Sequence, residues 1–214
     1  MQIIPAVNEI SFSGVREKVK ILSGFLEPQA LVHLDIVDGM FAPNLTWANI
    51  EEFKELIHEF PTLRFEIHLM VQDPEIASDE WFRAGATRNI VHLESLTDSV
   101  YLRQNAEKYG KEIMLSIIPG TDAARLVAHA EDFKLFQILS VFPGLAGQKF
   151  RQEAFAKIAL IRKKIPHAII EVDGGINEIT AKLVKETGAD ILVASSFILG
   201  SEHPETAYKI LSEI

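Results

Sequence analysis

Not one of the 214 residues is cysteine. This excludes disulfides and thiolate ligands and leaves histidine, aspartate and glutamate to hold any metal. Positive charge is also in deficit: 21 lysines and arginines face 30 acidic residues, a formal charge of -9. That balance opposes docking on nucleic acid or an anionic membrane surface, so neither is an expected partner. No apolar run approaches the ~20 residues of a membrane span. The opening MQIIPAVNEI lacks a basic stretch followed by an apolar one and a small-residue cleavage site, so a cytoplasmic protein is the expectation. No linker-like stretch interrupts the chain, whose 48% hydrophobic content suits one well-buried domain, residues 1–214.

What the chain does have is alternation. The runs QIIPA, ALVHLD, LRFEIHLM, RNIVHL, EIMLSII, LFQILSV, AIIEVD and DILVAS carry the near-continuous hydrophobicity of strands buried on both faces of a parallel sheet. Between them apolar residues recur at helical spacing, giving the stripes Val15, Val19 and Leu22; Ile50, Phe53, Ile57 and Phe60; Phe155, Ile158 and Ile161; and Ile179, Leu183 and Val184. Gly-Ala pairs at 85–86 and 188–189 follow helical stretches where a glycine can end a helix. Eight strands alternating with eight helices predict an α/β fold, a single-domain (β/α)8 TIM barrel somewhat shorter than the usual ~250 residues. An open doubly wound sheet is the alternative. In either fold the chemistry belongs at the carboxyl ends of the strands.

That rule organises the polar residues. His33 and Asp35 are two apart near the end of the second strand, so they project to one side while Leu34 projects to the other. The third strand ends with Glu66-Ile67-His68-Leu69-Met70 and the seventh with Glu171-Val172-Asp173. Taken singly, His33 and His68 read as hydrogen-bonded core histidines and the aspartates as helix caps. Together, at corresponding ends of three strands, they read as a mixed nitrogen and oxygen shell for one divalent ion such as Zn²⁺, Fe²⁺, Mn²⁺ or Co²⁺. His92 and Glu94 repeat the His-x-acid pattern at the fourth strand's end, where a barrel-layer or ligand-supporting role is expected. His58, His129, His167 and His203 fall in helical or loop stretches and read as solvated.

The loops after the sixth, seventh and eighth strands carry glycines that permit close backbone approach, and each alone reads equally as an ordinary turn or as an anion site. The candidates are Gly144, Leu145, Ala146 and Gly147, then Gly174 and Gly175, then Ser195 and Ser196. Residues 140–148 are also the candidate lid.

Four blocks in order, HLDIVDGMFAPNLT (33–46), EIHLM (66–70), SVFPGLAGQKF (140–150) and EVDGGIN (171–177), resemble the signatures of the ribulose-phosphate 3-epimerase family. The resemblance implies that His33, Asp35, His68 and Asp173 ligate the metal, and that Asp35 and Asp173 double as an acid-base pair. It also implies that His68 and Met70 face the substrate, that the substrate is a phosphorylated ketose, and that the protein is a homo-oligomer.

The chain departs from the family pattern around the substrate. Pro5-Ala6-Val7-Asn8 stands where the family has P-S-[IL]-L, so a serine hydroxyl is missing and Asn8 is its candidate substitute. Val37 and Leu139 replace methionines. Phe142, Ala146 and Ser195 add side chains where the family has a smaller or polar residue. The expected activity is metal-dependent 3-epimerisation of ribulose 5-phosphate and xylulose 5-phosphate, or of a close relative. The alternatives are a non-catalytic barrel that binds metal and sugar phosphate, and a related aldolase or decarboxylase. Against the last, HLDIVDG lacks the lysine that such sites place beside their acidic residues.

Overall fold

The computed structural model describes all 214 residues. Its strands are β1 (Gln2–Val7), β2 (Leu31–Val37), β3 (Arg64–Met70), β4 (Arg88–His92), β5 (Glu112–Ile117), β6 (Leu135–Leu139), β7 (Ile169–Asp173) and β8 (Ile191–Ala194). They run in sequence order around a closed parallel barrel, with β1 pairing both β2 and β8. That closure establishes the (β/α)8 barrel and excludes the open sheet. All eight expected runs form strands because each is apolar on both faces, as a strand lined on one side by the barrel interior and on the other by helices must be. No helix is long and apolar enough to cross a membrane.

The chain divides into two compact units, Ala6–Ile113 and Met1–Pro5 with Met114–Ile214. In the first, α1 (Phe12–Ser23), α2 (Ile50–Glu59), α3 (Pro74–Ala84) and α4 (Ser99–Tyr109) alternate with the strands. Ser11 caps α1 by accepting the Gly14 N–H, and the helix buries Val15, Val19 and Leu22 as the spacing predicts. Asn49 caps α2, whose Phe53 ring meets Phe65 at 5.6 Å and Trp81 at 4.9 Å, both edge-on. The centre of that stripe is Phe53 and Leu56; Ile50 and Ile57 flank it half-buried.

In the second unit lie α5 (Ala124–Val127), α6 (Glu153–Lys164), α7 (Glu178–Thr187), α8 (Ser196–Leu199) and α9 (Pro204–Ser212). Nine helices therefore replace the expected eight, two of them single turns of four residues. Helix α6 buries Ala154, Ile158 and Ile161. The stripe expected for α7 is displaced: Ala181 and Val184 are buried, while Ile179 is 73% and Leu183 44% exposed. Counting only large apolar residues overlooks Ala181, which is fully buried. Gly85 and Gly188 close α3 and α7, as the Gly-Ala pairs indicate.

A further restraint joins the start of α3 to the start of α4. Glu75 Oε1 accepts the Thr97 and Asp98 N–H groups at 2.7 and 2.8 Å and the Thr97 hydroxyl at 2.9 Å. Burial alone would raise the Glu75 carboxyl, but those donors outweigh it and hold the group below its ordinary value. A carboxyl depressed in the folded state contributes stability that is present above its unfolded value and lost as pH falls through its folded value. Between about pH 5 and pH 3 the stability advantage of wild type over Glu75→Gln is therefore expected to shrink in urea unfolding, because glutamine does not titrate. A gap that stays constant over that window would contradict the assignment.

Candidate functional site

Strand register builds the first part of the site. In the β2–β3 pair, His33 lies opposite Glu66 and Asp35 opposite His68, so side chains two apart along each strand share one face. The three groups nearest the strand ends converge: His33 Nε2 and His68 Nδ1 each lie 3.2 Å from Asp35 Oδ1, and 3.2 Å from one another. The other carboxylate oxygen, Asp35 Oδ2, accepts the Asn8 side-chain amide at 2.9 Å. Both histidines are fully buried. Burial alone would raise the Asp35 carboxyl; the hydrogen bonds and charge of His33 and His68 overcome it and hold the group well below the usual carboxylate range.

A deeper layer fixes the first. Glu66 Oε1 lies 2.8 Å from His33 Nδ1, and its Oε2 accepts Arg88 Nη1 at 2.9 Å. Arg88 also donates to Glu112 Oε2 from Nε at 3.0 Å and Nη2 at 2.8 Å. Because Glu66 lies opposite Arg88 in the β3–β4 pair, this buried ion pair is set by register. With Nδ1–H donated to Glu66, a neutral His33 offers its Nε2 lone pair to a cation at the spot where, without one, Nε2 needs a proton to bond Asp35. On the far side of His68, Nε2 lies 2.8 Å from His92 Nε2.

In the other unit, Asp173 ends β7. The Ser140 hydroxyl donates to the Asp173 and Gly174 carbonyls at 2.7 and 2.6 Å, and the Ser140 N–H donates to the Asp173 carbonyl at 2.7 Å. The turn that follows requires glycine. Gly174 and Gly175 have φ of +105° and +64°, and a Cβ at Gly175 would stand 2.3 Å from the Phe150 backbone nitrogen. Gly175 and Ser196 line a cavity of about 390 Å³ together with Gln148, Lys149, Asn177 and Thr180. Deeper in this unit Ser116 donates to Gln137 at 2.6 Å, and Gln137 donates to Glu171 at 3.0 Å.

The predicted ligands meet. His33, Asp35, His68 and Asp173 each offer a ligand atom, and these atoms all lie within 4.8 Å of one another. Ligands about 2.0–2.2 Å from a shared cation stand at most about 4.4 Å apart, so the cluster fits a divalent ion with small adjustments. Two imidazole nitrogens and two carboxylate oxygens suit Zn²⁺, Fe²⁺, Mn²⁺ or Co²⁺ alike.

The other predicted residues separate into groups. Met70 is buried with Val37 and Ala42, and Phe41 packs against them. Gly144, Leu145, Ala146 and Gly147 form a loop that Gln148 ties down by donating to the Phe142 and Leu145 carbonyls at 2.6 and 2.8 Å. None of those four lines the cavity that holds Gly175 and Ser196. The Ser195 carbonyl accepts the Ile198 and Leu199 N–H groups at the start of α8. Sequence reasoning gave no role to Glu66, Arg88, Lys149, Asn177 or Thr180. A signal existed for Glu66, which precedes His68 by two and so faces the same way. No local pattern marks Arg88 as its partner.

Comparison with known proteins identifies the family. The model of the Ribulose-phosphate 3 epimerase family matches residues 2–199. A ribulose-phosphate 3-epimerase of Chlamydia pneumoniae is 34% identical over 186 residues, covering 84% of this chain and 80% of that protein. The Bacillus subtilis ribulose-phosphate 3-epimerase is 28% identical over 220 residues, covering 100% of this chain and 98% of that one. Among solved structures, 3-hexulose-6-phosphate synthase from Salmonella typhimurium aligns with a TM-score of 0.75 at 18% identity, covering 100% of this chain and 97% of that one. At that identity the likeness shows the barrel fold alone.

Removing one member of a buried ion pair leaves the other charge uncompensated, at a cost of about 3–5 kcal/mol. Glu66→Ala is expected to fall at the lower end of that range in urea unfolding, because Glu112 still holds Arg88. A loss below about 1 kcal/mol, the scale of an exposed pair, would show that the layer does not bear on stability.

Proposed function

The chain belongs to the ribulose-phosphate 3-epimerase family, and on that premise we propose that it inverts C3 of a phosphorylated ketose, with a divalent metal as cofactor. Ribulose 5-phosphate and xylulose 5-phosphate, or a close relative, are the substrates. The observation that carries the reading is the four-donor cluster of His33, Asp35, His68 and Asp173.

Inverting a carbon beside a carbonyl requires a proton to leave one face and another to arrive at the opposite face. One base cannot easily serve both, and the cluster supplies two carboxylates. In this reading Asp35 and Asp173 flank the planar enediolate, one taking the C3 proton and the other returning a proton from the far side. Bound at this cluster, a divalent cation polarises the substrate carbonyl and stabilises the negative charge that develops on its oxygens. The Asn8 amide orients one oxygen of Asp35 and leaves the other toward His33 and His68.

The phosphate is assigned to the Gly174–Gly175 turn and to Ser195 and Ser196, with Lys149 and Thr180 lining the same cavity as Gly175 and Ser196. The positive φ of Gly174 and Gly175 supports this, because successive backbone N–H groups in such a turn can form an anion-binding concavity. The Gly144–Gly147 loop is the proposed lid, with Leu145 exposed at its tip. Met70, alongside Val37, forms the apolar wall beside His68. A pocket wall of this kind decides which ketose phosphate is held productively.

Incubation of ribulose 5-phosphate with the Mn²⁺-loaded protein in D₂O, followed by NMR, is expected to yield xylulose 5-phosphate carrying deuterium at C3. Chelation should abolish turnover and restored Mn²⁺ should recover it. Asp35→Asn and Asp173→Asn are each expected to lower kcat by about 10²–10⁴-fold, the usual scale of positioned proton transfer. Carbon–carbon cleavage would instead indicate an aldolase, and binding without turnover a non-catalytic barrel. Either outcome would refute the reading.

A further inference from the structure

We infer that Glu94 and His92 act as positioning residues that fix the proton of His68, so that its Nδ1 presents a lone pair to the cation. This inference rests on the metal-dependent reading above. The pattern behind it is His92-Leu93-Glu94 at the end of β4, whose chemistry that reading leaves unused.

The three side chains form a line. His68 Nδ1 faces Asp35 Oδ1 at 3.2 Å, and His68 Nε2 faces His92 Nε2 at 2.8 Å. His92 Nδ1 in turn lies 3.4 Å from Glu94 Oε2, within ion-pair range but outside hydrogen-bond geometry, so the carboxylate acts on that ring edge through its charge. His68 and His92 are fully buried and stacked, with ring centroids 5.0 Å apart and planes 22° from parallel. The Phe41 ring packs 4.8 Å from His92, and its loop is pinned where Asp38 Oδ1 accepts the Phe41 N–H at 2.8 Å. Neither ring can turn far without displacing a packed neighbour.

Partners then decide where the protons sit. A ligating Nδ1 on His68 needs a free lone pair, so the His68 proton must be on Nε2. That proton is donated to His92 Nε2, which must then be the acceptor, leaving the His92 proton on Nδ1. There it faces the Glu94 carboxylate, which can only accept. The reversed arrangement would set the His92 Nδ1 lone pair against Glu94 and a proton against the cation. Glu94 thus selects the tautomer of both rings, through one intervening imidazole. His33 reaches the same end by another route, with Nδ1 on Glu66 and Nε2 toward the cluster. The two histidines therefore ligate through different nitrogens.

Zinc affinity measured against a competing chelator tests this. Relative to wild type, His92→Leu is expected to bind Zn²⁺ about 10–100-fold more weakly, the usual scale for loss of a group that orients a ligand. His92→Gln should recover most of the affinity, because its amide oxygen can accept the His68 Nε2–H. Glu94→Gln should fall between wild type and His92→Leu. Thermal unfolding of each metal-free variant reports whether the fold survives. In the zinc-loaded wild type labelled with ¹⁵N-histidine, NMR should show His68 protonated at Nε2 and ligating through Nδ1, and His33 the reverse. His92→Leu binding zinc as tightly as wild type would overturn the inference, as would equal losses in His92→Leu and His92→Gln or a His68 ligating through Nε2. Those results would leave the proposed function standing, whereas a wild-type protein that binds no zinc or Mn²⁺ would sink that reading itself.

Discussion

A carboxylate withdrawn from water must be compensated where it stands, and Asp35 has the Asn8 amide on one oxygen and two imidazole nitrogens 3.2 Å from the other, which compensate it through their protons or through a cation shared with it. The rest of the site follows from this. Neither imidazole can be left to choose its own orientation, since a ring flip would exchange a donor for an acceptor beside an ionised group. Each therefore carries a fixed partner on its far nitrogen, Glu66 for His33 and His92 for His68. Burial of those partners creates further demands: Arg88 meets that of Glu66, and the Glu94 carboxylate stands 3.4 Å from His92 Nδ1. The chain of obligations runs outward from one carboxylate to the barrel wall.

A barrel interior is usually filled by branched aliphatic side chains, so the polar layer here needs a cause. Stability does not provide one, because a buried ion pair is roughly neutral or worse compared with well-packed apolar residues of the same volume. Orientation provides one. Glu66 and Arg88 are opposite one another in register, as are Ser116 with Gln137 and Gln137 with Glu171, so each bond is formed between neighbours that the sheet already holds in place. Little side-chain entropy remains to be lost in making such contacts. What the layer supplies, His33 included, is a rigid base for the residues one step nearer the mouth, Asp35 on β2, His68 on β3 and Asp173 on β7.

Much of this was legible in the amino-acid order because period-2 geometry and strand-end chemistry are local. The His33–Asp35 pair, the eight apolar runs and the glycine turn at 174–175 all carry their signal within a few residues. The helices were read less well where small residues do the packing, as with Ala181 on α7, or where a connection shrinks to one turn, as with α5 and α8. Support for the ligands was harder still. Arg88 opens a strand and resembles any polar residue at a strand start; only register identifies it as the counterion of Glu66. Asn8 was expected near substrate, and the spacing gave no sign that its amide also donates to Asp35 Oδ2. Lys149 and Thr180 join Gly175 and Ser196 at one cavity through loop geometry that no spacing rule encodes.

The central claim is that four side chains distant in sequence share one cation. Anomalous diffraction at the metal edge, from crystals grown with Zn²⁺ or Mn²⁺, tests it most directly. The account predicts a single strong peak within about 2.0–2.2 Å of His33 Nε2, His68 Nδ1 and one carboxylate oxygen from each of Asp35 and Asp173. A peak coordinated by other residues, or saturating metal with no peak at this cluster, would contradict it.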